Sequence, residues 1–206
     1  MNLQNIAKIF DFINAVNKLK YEMRFKSNWR NVDSVAEHSW RLTLLAYLAA
    51  KELNIGLDVD KCVKIAIVHD LPEARTGDLA WSDAFNDKDR RAAKEENEVM
   101  AMKDLTAILP RHLEGEIYEL WKEYRDAATK EAKFVKIMDK LEAAEQVLFM
   151  GFDAKKLEST EAFAHLTMKG FGWFPETDKV INFVREKIKA EFIKNEIEWK
   201  PEWDLK

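Results

Sequence analysis

Apolar residues recur at three- and four-residue intervals through almost the whole chain, the period of helices with one face turned inward. From residue 3 to 19 they fall at Leu3, Ile6, Ile9, Phe10, Ile13, Val16 and Leu19. Residues 20–33 break the pattern with Tyr21, Arg24, Phe25, Asn28, Trp29, Arg30 and Asn31, an aromatic and basic stretch that predicts a loop covering something beneath it. Ser34 with Glu37 three residues on forms a capping box and predicts a helix to about Leu53, ended by Gly56. Asp58 caps a helix predicted to reach about Ala74, and Gly77-Asp78 breaks it. A loop over 80–87 leads to a charged helix from about Lys88 to Leu109, stopped by Pro110, and to another over 113–126. Thr129 caps a helix from Lys130 to about Met150. Gly170, Gly172 and Pro175 mark the last break, before a helix over about 176–197 and a tail at Trp199–Trp203. With no repeat, low-complexity tract or linker, the pattern predicts one all-α domain.

Composition narrows this further. The 206 residues are 47% hydrophobic and 34% charged, enough apolar content for a core and too much for disorder. Six Gly and four Pro are few, which favours long helices. A net charge of -4 gives no bulk attraction for nucleic acid or anionic membrane, while a local basic pocket for one phosphate remains open. The longest apolar run, Leu42 to Ala50, is interrupted by Thr43 and is too short to span a bilayer. The N-terminus lacks the pattern of a signal peptide. Cys62, the single cysteine, reads as a small core residue, and no internal disulfide can form. A cytoplasmic protein without nucleic-acid or membrane partners is expected. The charged helix 88–109 reads as a solvated outer helix laced with i,i+4 ion pairs.

Four segments carry side chains that a plain core helix would not need: Val35-Ala36-Glu37-His38-Ser39, His69-Asp70-Leu71-Pro72-Glu73, Thr76-Gly77-Asp78 and Lys136-Ile137-Met138-Asp139. His69-Asp70 follows the apolar run Ile65-Ala66-Ile67-Val68, and burying an imidazole and a carboxylate is costly unless both are satisfied. A divalent cation satisfies both at once. Taken singly, each residue has a bland explanation; Asp139, for instance, has Lys136 and Lys140 as potential ion-pair partners. The order His38, His69-Asp70, Asp139 on successive helices is what points to a metal. Two imidazoles with two carboxylates suit Mn, Co, Fe, Ni or Zn better than Ca.

That order resembles the HD-domain superfamily of metal-dependent phosphohydrolases. The strings S-V-A-E-H-S, H-D-L-P-E-A-R-T-G-D-L and A-K-F-V-K-I-M-D-K-L resemble the branch that holds bacterial 5′-deoxynucleotidases and their eukaryotic relatives. The resemblance covers about residues 5–150 and leaves a helical extension over about 155–206. It implies an all-α, single-domain HD helical bundle with one divalent metal (Co, Mn, Zn, Ni, Fe or Mg) at His38, His69, Asp70 and Asp139. It also implies hydrolysis of deoxyribonucleoside 5′-monophosphates, with proton-handling roles for Glu73 and Asp78. Arg24 matches an arginine that contacts phosphate, and Phe25 stands near the sugar, where some members have Trp. The run Glu119 to Tyr124 resembles a segment near the nucleoside, and Trp121 and Tyr124, three apart, share a face.

Residue chemistry agrees with the carboxylate roles. On a continuous helix Glu73 would lie one turn beyond His69 and Asp70, on the same face. Gly77 has the backbone freedom to turn Asp78 back toward the site. Carboxylates beside a phosphate site repel the substrate unless they handle protons, and which of the two is base and which acid stays open. A homodimer is expected from the family and from apolar residues in the late helices, such as Phe183, Phe192 and Ile193. Two other readings are a phosphohydrolase acting on a different small phosphate ester and a silent nucleotide-binding helical protein. Intact Glu73 and Asp78 argue against silence.

Overall fold

Side-chain oxygens start most of the helices. Asn2, Ser34, Asp58, Asp87, Thr129 and Ser159 each accept a hydrogen bond from a first-turn amide that no intrahelical carbonyl can serve. Each such cap contributes about 1 kcal/mol. The computed structural model describes residues 2–24, 32–79, 85, 87–153 and 159–205. Among the described residues the helices, in chain order, are α1 (Leu3–Val16), α2 (Val35–Leu53), α3 (Val59–Val68), α4 (Glu73–Thr76), α5 (Lys88–Thr106), α6 (Arg111–Asp126), α7 (Lys130–Phe149), α8 (Thr160–Leu166) and α9 (Pro175–Lys194). Short 3-10 turns follow α1 at Asn17–Lys20 and close the chain at Pro201–Trp203. Among the described residues, extended pairing is limited to one antiparallel bridge between Met23 and Ser34.

Helix α7 is the centre. Ala132, Phe134, Val135, Ile137, Met138, Leu141, Ala144 and Val147 are all buried on it, so it is covered on several sides. Helices α2, α3, α6, α8 and α9 all pack against it. One apolar cluster runs from Phe12 on α1 to Trp203 at the far end of the chain. The final segment belongs to that core: Trp199 and Trp203 fold back edge-on against Phe192, with centroids 5.5 and 5.8 Å away. Arg185 clips the segment down by donating to the carbonyls of Ala164 and Trp203.

The structure corrects three expectations. The helix begun at Asp58 ends at Val68 instead of Ala74. Pro72 has no amide to donate and disfavours helical geometry at the residue before it, so His69 to Pro72 form a turn and Glu73 opens a separate short helix. Helix α2 ends at Leu53 as expected, but the residue that ends it is Asn54, a left-handed C-cap (φ 47°), and not Gly56. On α1 the expected inward face is split. Phe12 is buried, while Leu3, Ile6, Phe10 and Ile13 form an exposed stripe. Trp40, Leu44, Tyr47 and Leu48 form a second exposed stripe on α2. Phe192 is fully buried, whereas Phe183 and Ile193 are exposed. No described helix is long and apolar enough to cross a membrane.

Candidate metal and catalytic site

The site forms where the first turn of α2, the end of α3 and the middle of α7 meet. His38 lies in the turn fixed by the Ser34 capping box. There the Glu37 amide donates to Ser34 Oγ at 3.2 Å, and the Ser34 amide donates to Glu37 Oε2 at 2.7 Å. His69 is the C-cap of α3, and Asp70 begins the turn that Pro72 enforces. Asp139 is on the inner face of α7.

Three of the four candidate ligands, His38, His69 and Asp139, are aimed by a contact from outside the set. His69 Nδ1 donates to the Ala66 carbonyl at 2.8 Å, which turns the Nε2 lone pair toward His38. His38 Nδ1 lies 2.5 Å from Glu142 Oε2, which turns its own Nε2 the other way. The two Nε2 atoms are 3.2 Å apart. Asp70 Oδ2 sits 2.8 Å from His69 Nε2 and 3.7 Å from His38 Nε2. Asp139 Oδ1 sits 3.3 Å from His38 Nε2. Its other oxygen, Oδ2, accepts from Tyr124 Oη at 2.6 Å and from Lys140 Nζ at 2.8 Å. Ligand atoms around one first-row divalent ion, each about 2.1 Å from it, lie roughly 3 Å from their neighbours. The atoms of His38, His69 and Asp139 all lie within 4.8 Å of one another. The donor set therefore fits a divalent cation. Asp70, with 21% of its side chain exposed against 0% for His38, is the group of the four that faces outward.

Electrostatics agree. Burial and the Arg24 charge both act to lower the His38 pKa, but hydrogen bonds to Asp139 and Glu142 outweigh them and leave it above the ordinary value. Burial works against the Asp70 carboxylate, yet the His69 and His38 rings hold it well below the usual range. Asp139 is likewise held well down, with Lys140 and His38 overcoming burial. With both carboxylates held ionised, the cluster carries negative charge that a cation would offset.

Glu73 and Asp78 flank this centre. Glu73 is buried and pairs with Lys94 of α5 at 2.7 Å. Burial, with the Asp70 and Asp78 charges added, pushes its carboxyl well above the usual range despite Lys94. Gly77 has φ 75°, and a Cβ there would meet Glu22 Oε1 at 3.3 Å. The next amide, that of Asp78, donates to the same Glu22 oxygen at 3.0 Å, so the glycine lets the chain turn against Glu22. Arg24 is 13% exposed, with Nη1 3.4 Å from Glu142 Oε2 and 3.8 Å from Asp33 Oδ2. Through Glu142, which also contacts His38, Arg24 adjoins the candidate metal cluster, and the charges of Asp139 and Asp78 act on it. The Arg24 amide donates to the Asp33 carbonyl at 2.9 Å, and the Val35 amide to that of Glu22 at 2.8 Å, so the ends of segment 25–31 are pinned together. Phe25 lies outside the described residues.

The pair Trp121 and Tyr124 divides. Tyr124 reaches the site, but through Asp139 and edge-on to His69 at 5.1 Å. Trp121 is 1% exposed, and its ring contacts Tyr118 and Arg125, so it packs the interior and presents no open face to a nucleoside. Sequence reasoning missed Glu142, Lys94, Glu22 and Asp33. For Glu142 there was a signal: it stands one turn after Asp139 and interrupts the apolar run of Leu141, Ala143 and Ala144. The other three were indistinguishable from surface charges.

The chain belongs to the HD-domain family, whose profile, described as an HD domain, matches residues 16–167. It is similar to 5′-deoxynucleotidase HDDC2 from Bos taurus, with 37% identity across 69% of this chain and 67% of the relative. The Xenopus laevis protein of the same name is 31% identical across 91% of this chain and 90% of its own length. Among solved structures, a conserved hypothetical protein from Pyrococcus furiosus superposes with a TM-score of 0.65 at 32% identity, covering 86% of this chain and 99% of that one. A predicted metal-dependent phosphohydrolase from Magnetospirillum magnetotacticum shares the fold, with a TM-score of 0.71 at 21% identity over 93% and 94% of the two chains.

Proposed function

We propose that this chain hydrolyses deoxyribonucleoside 5′-monophosphates to nucleoside and inorganic phosphate, using a divalent cation held by His38, His69, Asp70 and Asp139. One observation carries the reading: two imidazole nitrogens and two carboxylates converge beside an arginine and two further carboxylates, with both rings and Asp139 aimed by contacts from outside the set. Similarity to proteins named 5′-deoxynucleotidase supports the substrate class.

When bound, the cation supplies Lewis-acid polarisation and a water acidic enough to attack near neutral pH. Its identity lies among Co, Mn, Zn, Ni, Fe and Mg. Arg24 binds the phosphate: its guanidinium carries five N–H donors, enough to serve a phosphate while staying in touch with Glu142 and Asp33. Glu73 and Asp78 move the protons. One takes a proton from the attacking water as the new P–O bond forms, and the other hands one to the 5′ oxygen as the old bond breaks. Tyr124 holds Asp139 in its orientation. The family resemblance assigns Phe25 to the sugar, and an aromatic side chain there would give a 2′-hydroxyl no partner in exchange for the water it loses. A homodimer working in the cytoplasm completes the reading. The exposed apolar stripes on α1 and α2 offer it more surface than the buried Phe192 does, and a free buried Cys62 suits a reducing compartment.

The test is phosphate release from matched deoxyribo- and ribonucleoside 5′-monophosphates with each candidate metal added. The reading expects kcat/KM for the deoxy member to exceed the ribo member by roughly tenfold to a hundredfold. Equal values would remove Phe25 as a sugar reader. No release from any monophosphate, with release from another small phosphate ester, would overturn the substrate assignment.

A further inference from the structure

Helix α5 looks like a solvated outer helix, and along most of its first half it is one. From Asp89 to Asn97 every side chain is exposed except Lys94. Lysine is the residue that gains least from turning inward, because its ammonium is strongly hydrated and its four-carbon stem loses rotamer freedom. Lys94 nonetheless turns in and donates to Glu73 Oε1 at 2.7 Å. Glu98, one turn on, steadies it from the same helix at 3.3 Å. Its side chain is 20% exposed and that of Glu73 is 7% exposed, so the pair is largely out of water. Glu73 has no comparable anchor on its own element, since α4 is a single turn between Pro72 and Gly77. Helix α4 packs against α5, and the 3-10 turn at Asn17–Lys20 also touches it.

We infer that Lys94 is a positioning residue: through its bond to Oε1 it fixes the direction in which Glu73 presents its carboxylate to the reacting phosphate. Proton transfer needs the carboxylate within hydrogen-bond reach of the proton it moves, and on the single turn of α4 the bond from Lys94 is the contact that sets the carboxylate's direction. The inference rests on the proposed role of Glu73. It adds that α5, a helix carrying no metal ligand, sets the geometry of the catalytic step, with Glu98 setting Lys94 in turn. A structural alternative exists: the pair simply clips α5 onto α4. The two differ in what they do to turnover once Glu73 itself has been removed.

The experiment is a double-mutant cycle on the metal-loaded chain, comparing wild type, Lys94→Met, Glu73→Gln and the double variant, with helix content by circular dichroism and bound metal by elemental analysis matched across all four. Lys94→Met is expected to lower kcat roughly tenfold to a hundredfold, part of what a positioned proton-transfer group supplies, and to leave KM within about twofold. Lys94→Arg, which keeps a cationic donor, is expected to recover most of the loss. On the Glu73→Gln background, Lys94→Met is expected to cost nothing further, because its effect runs through the missing carboxylate. An unchanged kcat in Lys94→Met, or an equal fall in kcat with and without Glu73, would overturn the inference. Should Lys94→Met fold poorly, Lys94→Gln takes its place, with the same expectations. Absence of metal-dependent phosphate release from the wild-type chain is a separate outcome: it would overturn the hydrolase reading, and the role of Lys94 with it.

Discussion

The Nε2 atoms of His38 and His69 point at each other across 3.2 Å, and each ring is held in that pose from behind. For His38 the hold is Glu142, whose Oε2 lies 2.5 Å from Nδ1 and 3.4 Å from Arg24 Nη1. Its Oε1 lies 3.2 Å from Arg41 Nε. One carboxylate therefore orients a proposed metal ligand and touches the arginine proposed to bind phosphate. Removing a partner that orients a metal ligand weakens metal affinity by about 10–100-fold. Glu142→Gln should do so and should raise KM as well, because Arg24 loses a charged neighbour. Competition with a chromogenic chelator reads the first effect and steady-state kinetics the second. Wild-type metal affinity in the variant would remove Glu142 from the site.

Trp121 serves as a control for the assignment of the interior. With 1% of its surface exposed, it should behave as a core residue. Trp121→Ala should cost about 3–5 kcal/mol of stability by urea titration, the usual range for emptying a buried aromatic site. KM for the nucleotide should stay close to wild type. A large rise in KM with stability intact would restore Trp121 to the nucleoside site.

Lys136 gives the fold a pH signature. Burial, with Lys169 and Lys140 adding to it, pushes this ammonium down to about 8, while it donates to the carbonyls of Tyr124 and Arg125 at 2.8 Å each. An unfolded chain keeps that proton up to the ordinary value of 10.5. Between those limits the unfolded state binds more protons than the folded one, so this group's contribution to stability rises with pH across the window and is least favourable below it. Lys136→Met should remove the rise. Urea midpoints of both chains, measured just below pH 8 and again approaching 10.5, should show the wild type gaining on the variant. Parallel pH profiles would contradict the assignment.

What the sequence made legible and what it hid follow a physical division. Caps at Ser34, Asp58 and Thr129 were readable because the capping side chain and its amide lie within three residues of each other. The convergence of His38, His69, Asp70 and Asp139 was readable because ionisable groups in or directly after apolar helical runs demand a reason. Cross-helix partnerships were not. Arg24 meets Glu142 across 118 residues, Lys94 meets Glu73 across 21 and Tyr124 meets Asp139 across 15, and each depends on how helices rotate against one another. The same holds for Trp121, whose three-residue spacing to Tyr124 fixed a shared face but not what covers it. Pro72 was visible in the sequence, and its power to end α3 was outweighed by the apolar run before it. The exposed stripe on α1 shows the converse limit: periodicity says that a face is apolar, and only packing says whether something covers it.

The central claim is that the four converging side chains hold the cation on which hydrolysis depends. The most direct measurement strips the wild-type chain with a chelator, reloads it stepwise with one candidate metal, and follows bound metal and phosphate release from a deoxyribonucleoside 5′-monophosphate together, with His69→Ala and Asp70→Ala in parallel. The account predicts that the stripped chain is inactive, that activity rises in proportion to bound metal, and that both variants lose metal and activity together. Full activity in the stripped chain, or full metal occupancy in His69→Ala and Asp70→Ala, would contradict it.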